Sequence, residues 1–241
     1  MKHRPFSVST SANWGVAAAF ALGLSACAAL PANGADSWKE EVLLHDGQKI
    51  IVERSQTYRG NREPGQALPV GEHTIRFTPQ GSSRQISWTS EYGTELGRTN
   101  FNPLALHVKS GTPYLVVEPN LCLSYNKWGR PNPPYLFFKH DGKEWQRVGV
   151  SEVPLEFKAI NLIVNESSMR EIQESSRGAG FVPSDAVVKI NENLRQLEYK
   201  TIVREAFSNE RMIRICQELI FYKGAWVGPG DSIGKRMMDS K

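Results

Sequence analysis

The feature that most constrains this chain is a series of short apolar or alternating stretches, each parted from the next by residues that reverse a backbone. Residues 41–54 read EVLLHDGQKIIVER, two apolar runs around Asp46-Gly47, and Asp-Gly between such runs is a strong hairpin signal. A polar loop, Ser55 to Glu72, follows with two prolines and three glycines. His73–Thr78 and Gln85–Thr89 then alternate in polarity around Gly81-Ser82-Ser83, the period-2 pattern of a second hairpin. LALHVK (104–109) and PYLVVE (113–118) flank Gly111 as a third. Leu121-Cys-Leu-Ser-Tyr125 alternates as a further strand, and Tyr135–Lys139 with Glu144–Val148 flank His140-Asp-Gly-Lys143. Short strands at this spacing predict a mainly β (α+β) fold: an antiparallel sandwich or barrel-like meander. Repeats enough for a β-propeller are absent from the sequence.

The pattern changes from Pro154 on. Ser167–Ser176 is polar with Glu and Arg at helical spacing. Apolar residues at 186, 187, 190, 194 and 197 fit one helix face, and Ser184 or Asp185 can cap it. This is the helical element expected near the C-terminal third. Arg214–Val227 returns to strand-like character, which predicts a tail rejoining the first sheet. The organisation expected is a β-rich module over 36–153 and a mixed α/β tail over 154–241 packed on the same domain.

Composition excludes two classes. Of 241 residues, 40% are hydrophobic and 22% charged, too apolar and too evenly charged for intrinsic disorder. The apolar run Gly15–Ala26, GVAAAFALGLSA, is too short to span a bilayer, which takes about 20 residues. With Lys2 and Arg4 before it, the run suits the apolar core of a secretory signal, and no Arg-Arg pair precedes it.

The run ends Leu24-Ser25-Ala26-Cys27. These four residues resemble the lipobox of bacterial lipoproteins: an aliphatic residue, two small residues and a cysteine. The resemblance covers the first 27 residues. It implies a signal peptide over 1–26 and a mature N-terminus at Cys27, whose sulfur carries a diacylglyceryl group and whose amine is usually acylated as well. One acyl chain anchors marginally, and two or three hold firmly. In such lipoproteins Asp after the cysteine often signals retention in the inner membrane. Here Ala28 stands instead, which favours the outer membrane. Residues 27–35 then form a lipidated, uncharged tether, and the body faces the periplasm.

If Cys27 is lipidated, Cys122 and Cys216 remain. An oxidising periplasm makes them candidates for a disulfide; the alternative is two buried free thiols. Loss of residues 1–26 removes Lys2 and Arg4 and no acid, halving a net charge of +4. That gives no support for nucleic-acid binding, which leans on strongly basic faces.

Candidate chemistry is sparse. Gly230-Asp-Ser-Ile-Gly234 matches G-x-S-x-G, but a hydrolase elbow needs a strand before it, a helix after it and a downstream histidine. Only seven residues follow, none of them His. His45, His73, His107 and His140 lie in no Cys/His cluster, so neither a metal nor another cofactor is expected. His45 and His140 precede Asp-Gly turns, where a surface role is the default. Tyr125, Trp128 and Tyr135 surround the Pro-Asn-Pro-Pro loop 131–134. Aromatics beside a rigid loop suit a peptide, saccharide or protein partner, because flat rings bury area at low entropic cost. The reading that follows is a non-catalytic envelope lipoprotein that binds such a partner. The alternatives are a hydrolase of an envelope polymer and a structural or assembly lipoprotein. A cleft with convergent carboxylates would favour the hydrolase, and a flat aromatic face would favour the binder.

Overall fold

The computed structural model describes residues 35–60, 68–93, 100–164 and 169–240. Cys27 and the signal segment lie outside the described residues. The antiparallel β fold expected from the hairpin signals is present, as an open sandwich and not as a closed barrel. Strands β1 (Ala35–Leu43), β2 (Lys49–Tyr58), β3 (Val70–Phe77) and β4 (Ile86–Thr89) form one four-stranded meander. Strands β5 (Asn100–Lys109), β6 (Thr112–Asn120), β7 (Leu136–His140) and β8 (Trp145–Val148) form a second.

The turns do what their residues dictate. Gly47 sits at φ 84°, and Ser110 and Gly111 at φ 50° and 76°, the left-handed pair that matches the twist of a two-residue hairpin. Register then follows the apolar pattern. Val42, Val52, Ile75 and Phe77 of the first sheet pack against Leu106, Leu115, Val117 and Leu136 of the second. Asn161 ties the sheets together, donating to the carbonyls of Leu43 (2.9 Å) and Leu106 (2.8 Å) and accepting from the Leu106 amide (2.9 Å). At β8, the Trp145 indole donates to the Ser87 carbonyl (2.8 Å).

The first sheet's inner face is not wholly apolar. Arg54 and Glu40, both with fully buried side chains, form an ion pair at 2.9 Å. The Trp38 indole (2.9 Å) and the Ile163 amide (3.4 Å) also donate to Glu40. Removing one partner of such a pair strands a buried charge, at a cost of about 3–5 kcal/mol.

The tail covers the second sheet. Val153, Phe157 and Ile202 pack on the face that carries Leu104, Tyr114, Val116 and Phe137. Helices α2 (Met169–Ser175) and α3 (Ser184–Ile190) pack beside β1 around Trp38, Ile163 and Val182.

Four expectations need correction. Leu121–Tyr125 is not a strand but part of helix α1 (Leu121–Lys127), because Leu121, at φ 65°, turns the chain out of β6. The helix expected to run to Leu197 stops at Ile190. There the Asn191 amide group donates to the Leu162 carbonyl (2.8 Å) and accepts from the Val164 amide (2.9 Å), drawing the chain away. The stretch from Arg214 is not strand throughout: helix α4 (Asn209–Ile215), capped by Ser208, precedes the short strands β9 (Ile220–Tyr222) and β10 (Ala225–Val227). Among the described residues these two strands pair with each other and not with the first sheet. The final segment forms helix α5 (Ser232–Asp239).

Candidate functional site

The most chemically furnished cavity lies where β6 outruns its neighbour. Pairing with β7 ends at Val117↔Leu136, while pairing with β5 continues through Glu118↔Asn102 to Asn120. Pro119, which has no N–H to donate, sits in this half-partnered stretch, where a proline is tolerated. The tail crosses the gap and supplies the opposite wall. The result is a cleft of about 470 Å³ between Asn102, Glu118, Asn120 and Leu121 on one side and Gln196, Tyr199, Arg211 and Arg214 on the other.

Cys122 and Cys216, both lining this cleft, form a disulfide with Cα atoms 5.4 Å apart. It joins α1 to the end of α4. Asn126 reinforces the junction, donating to the carbonyls of Cys122 (2.9 Å) and Gln217 (3.1 Å) and accepting from the Leu219 amide (2.8 Å). Arg130 donates to the Cys216 carbonyl (2.8 Å).

Glu118 is the central titratable group. Its carboxyl accepts the Tyr199 hydroxyl at 2.7 Å and the Asn102 side chain across the strand pair. Desolvation outweighs both bonds and pushes its pKa up to about 7, since burial disfavours the ionised form. Burial, with Glu118 next, also holds the Tyr199 phenol far above its ordinary range. Glu198, itself buried, pairs with Arg211 at 2.6 Å, and the Arg211 guanidinium lies 3.7 Å from the Phe207 ring centroid.

The aromatics singled out from the sequence do not make a face. Tyr125 and Tyr135 are 3% and 2% exposed. Their hydroxyls are spent on the carbonyls of Pro131 (3.1 Å) and Glu198 (2.9 Å). Trp128 is half-buried, its ring 5.1 Å from Phe101, with Lys127 and Arg147 each 5.6 Å from it. Of the three, Tyr125 reaches the cleft.

Other candidates scatter. Ser232 does follow a strand and open a helix, yet Asp231 is occupied as the cap, accepting the Gly234 amide at 2.7 Å. No histidine lies in that part of the chain. His107 stacks on Phe157 (4.6 Å), 6.1 Å from His45, and burial pushes its pKa down to about 4. His140 is buried rather than on the surface, edge-on to Trp145 at 5.3 Å. No group of three or more His, Cys, Asp or Glu that could hold a metal occurs among the described residues.

Glu118, Glu198, Tyr199, Arg211 and Arg214 went unread in the sequence. The available signal was faint: a lone acid closing the apolar run of β6, and another between Leu197 and Tyr199. The chain matches no protein-family model, no curated protein and no solved structure.

Proposed function

We propose that this chain is a bacterial envelope lipoprotein, anchored through Cys27, whose folded body is a binding module with its ligand seat in the cleft beside the disulfide. The observation that carries the reading is one of parity. Cys122 and Cys216 are joined, so the cysteine left over is the one that follows Leu24-Ser25-Ala26. A disulfide also suits an oxidising compartment. No described helix is long and apolar enough to cross a membrane, so the lipid supplies the attachment in this reading, and Ala28 favours the outer membrane.

Metabolic labelling with palmitate tests the anchor. The native protein takes up label and fractionates with membranes, and Cys27→Ala does neither. Label retained by Cys27→Ala defeats the proposal.

A second reading, hydrolysis of an envelope polymer, is favoured by one feature. Glu118, with a pKa near 7 and set in a cleft beside a second carboxylate, has the environment of a general acid. The two readings part on Glu118→Gln, which ends turnover in a hydrolase and leaves a binder able to capture its ligand.

A further inference from the structure

The cleft's charges do not cancel. Arg211 is matched by Glu198 at 2.6 Å. Arg214, three residues on and exposed, also lines the cavity and pairs with no carboxylate among the described residues. Its contact is a long bond from Nε to the Glu210 carbonyl (3.4 Å). The Glu210 side chain is turned to its own helix start, where its own amide and then the Ser208 hydroxyl hold its pKa below the usual carboxylate range.

The groups around Glu118 are Asn102 from β5, Glu198 and Tyr199 from the short turn before Lys200, Tyr135 ahead of β7, and Arg211 and Arg214 from α4. With Glu118 protonated, this set carries one uncompensated positive charge. Tyr199 and Asn102 both donate to the Glu118 carboxyl, so its own O–H is a donor left for an incoming acceptor. A guanidinium and a neutral carboxylic acid facing one cavity are two donors suited to one anion, and guanidinium–carboxylate bonds are among the strong ones. Asn120 and Gln196 bring amide groups to the walls, partners for the carbonyls or hydroxyls of whatever carries that anion.

Resting on the reading of this cleft as a ligand seat, we infer that its ligand is a small carboxylate, gripped by Arg214 and by the protonated carboxyl of Glu118. A peptide C-terminus and an acidic sugar share that chemistry. Affinity should fall as Glu118 ionises, because a second negative charge then faces the first.

Calorimetric titration of the full-length chain in mild detergent tests this. The probes are N-acetyl-alanyl-alanine as free acid and as carboxamide, and glucuronate against glucose. At pH 6 an acid should bind at least about ten-fold tighter than its neutral counterpart, the worth of one good charge-assisted pair. Arg214→Gln should erase that preference. Raising the pH to 8.5 should weaken acid binding about ten-fold in the native chain and leave Glu118→Gln unchanged, as a titrating group near neutrality requires. Preference for the dipeptide assigns the carboxylate to a peptide end, and preference for glucuronate assigns it to a sugar; either supports the inference. Acid and neutral forms bound equally would overturn the carboxylate assignment while leaving the cleft as a seat. No binding of any probe by folded, disulfide-bonded protein would overturn both.

Discussion

Sheets β1–β4 and β5–β8 share one plan, a four-stranded antiparallel meander, and live in different surroundings. The first keeps a wet face. Burial alternates along β2, and outward Lys39 and Glu53 form an ion pair at 3.1 Å with both side chains about half exposed, an arrangement that adds little stability. The second sheet is covered on both sides, and Pro113–Val117 of β6 are buried five in a row. The cover also builds the candidate site, because Tyr199 and Arg211 reach the flank of β6 only as parts of the tail. A sheet with a wet face is legible as alternation; a sheet with two dry faces gives a plain apolar run, and its function is written in whatever lies across it.

This contrast can be broken where it is strongest. Replacing Cys122 and Cys216 together by alanine unclamps the tail from α1. The residues are 94 apart, and the chain-entropy model assigns closure of such a loop about 4–5 kcal/mol. Urea unfolding should register a loss of that order. A loss under about 1 kcal/mol would mean that the cover holds by packing alone.

Packing is tested next. Phe157 is fully buried against the covered sheet and stacked on His107, so Phe157→Ala should lose about 3–5 kcal/mol. Ile51, 41% exposed on the wet face, should lose only about 0.5 kcal/mol as Ile51→Ala. Equal losses would erase the distinction between the sheets.

A pH-dependent effect sharpens the site itself. Glu118 holds its proton up to about pH 7 when folded, against 4.5 for an ordinary glutamate side chain. Between those values the unfolded chain releases a proton that the native chain keeps, so stability falls as pH rises through this window and is level above it. The total is on the order of 3 kcal/mol. Glu118→Gln should flatten this slope and be the more stable protein at pH 8. An unchanged slope would place the titration elsewhere.

Much of the sandwich was readable because its instructions are local. Asp46-Gly47 and Ser110-Gly111 each set a turn within a few residues. The tail was harder to read because its instructions are distant. Leu121–Tyr125 alternates like a strand, and five residues cannot distinguish that from a short helix. Once Leu121 has turned the chain, the helix is held by the bond from the Ser124 hydroxyl to the Asn100 carbonyl (2.8 Å) and by the disulfide to Cys216. Periodicity made Leu197 a core residue, yet it is 47% exposed while Glu198 is buried, because the half-exposed Arg211 reaches in to pair with the acid at 2.6 Å. Tyr125 and Tyr135 were noticed for their rings, and those rings are interior scaffolding. The groups that carry chemistry in the cleft are charged residues whose partners lie far along the chain.

The bond from Tyr199 to Glu118 spans 81 residues, and Arg214 lies further still along the chain. As the polypeptide is delivered N-terminus first, every hairpin of the sandwich is complete before the cleft's second wall has been made. A product cut short ahead of α4 lacks Arg211, Arg214 and half of the cystine, whatever else it manages to fold. The seat is therefore a mark of completeness: only a finished molecule can offer it.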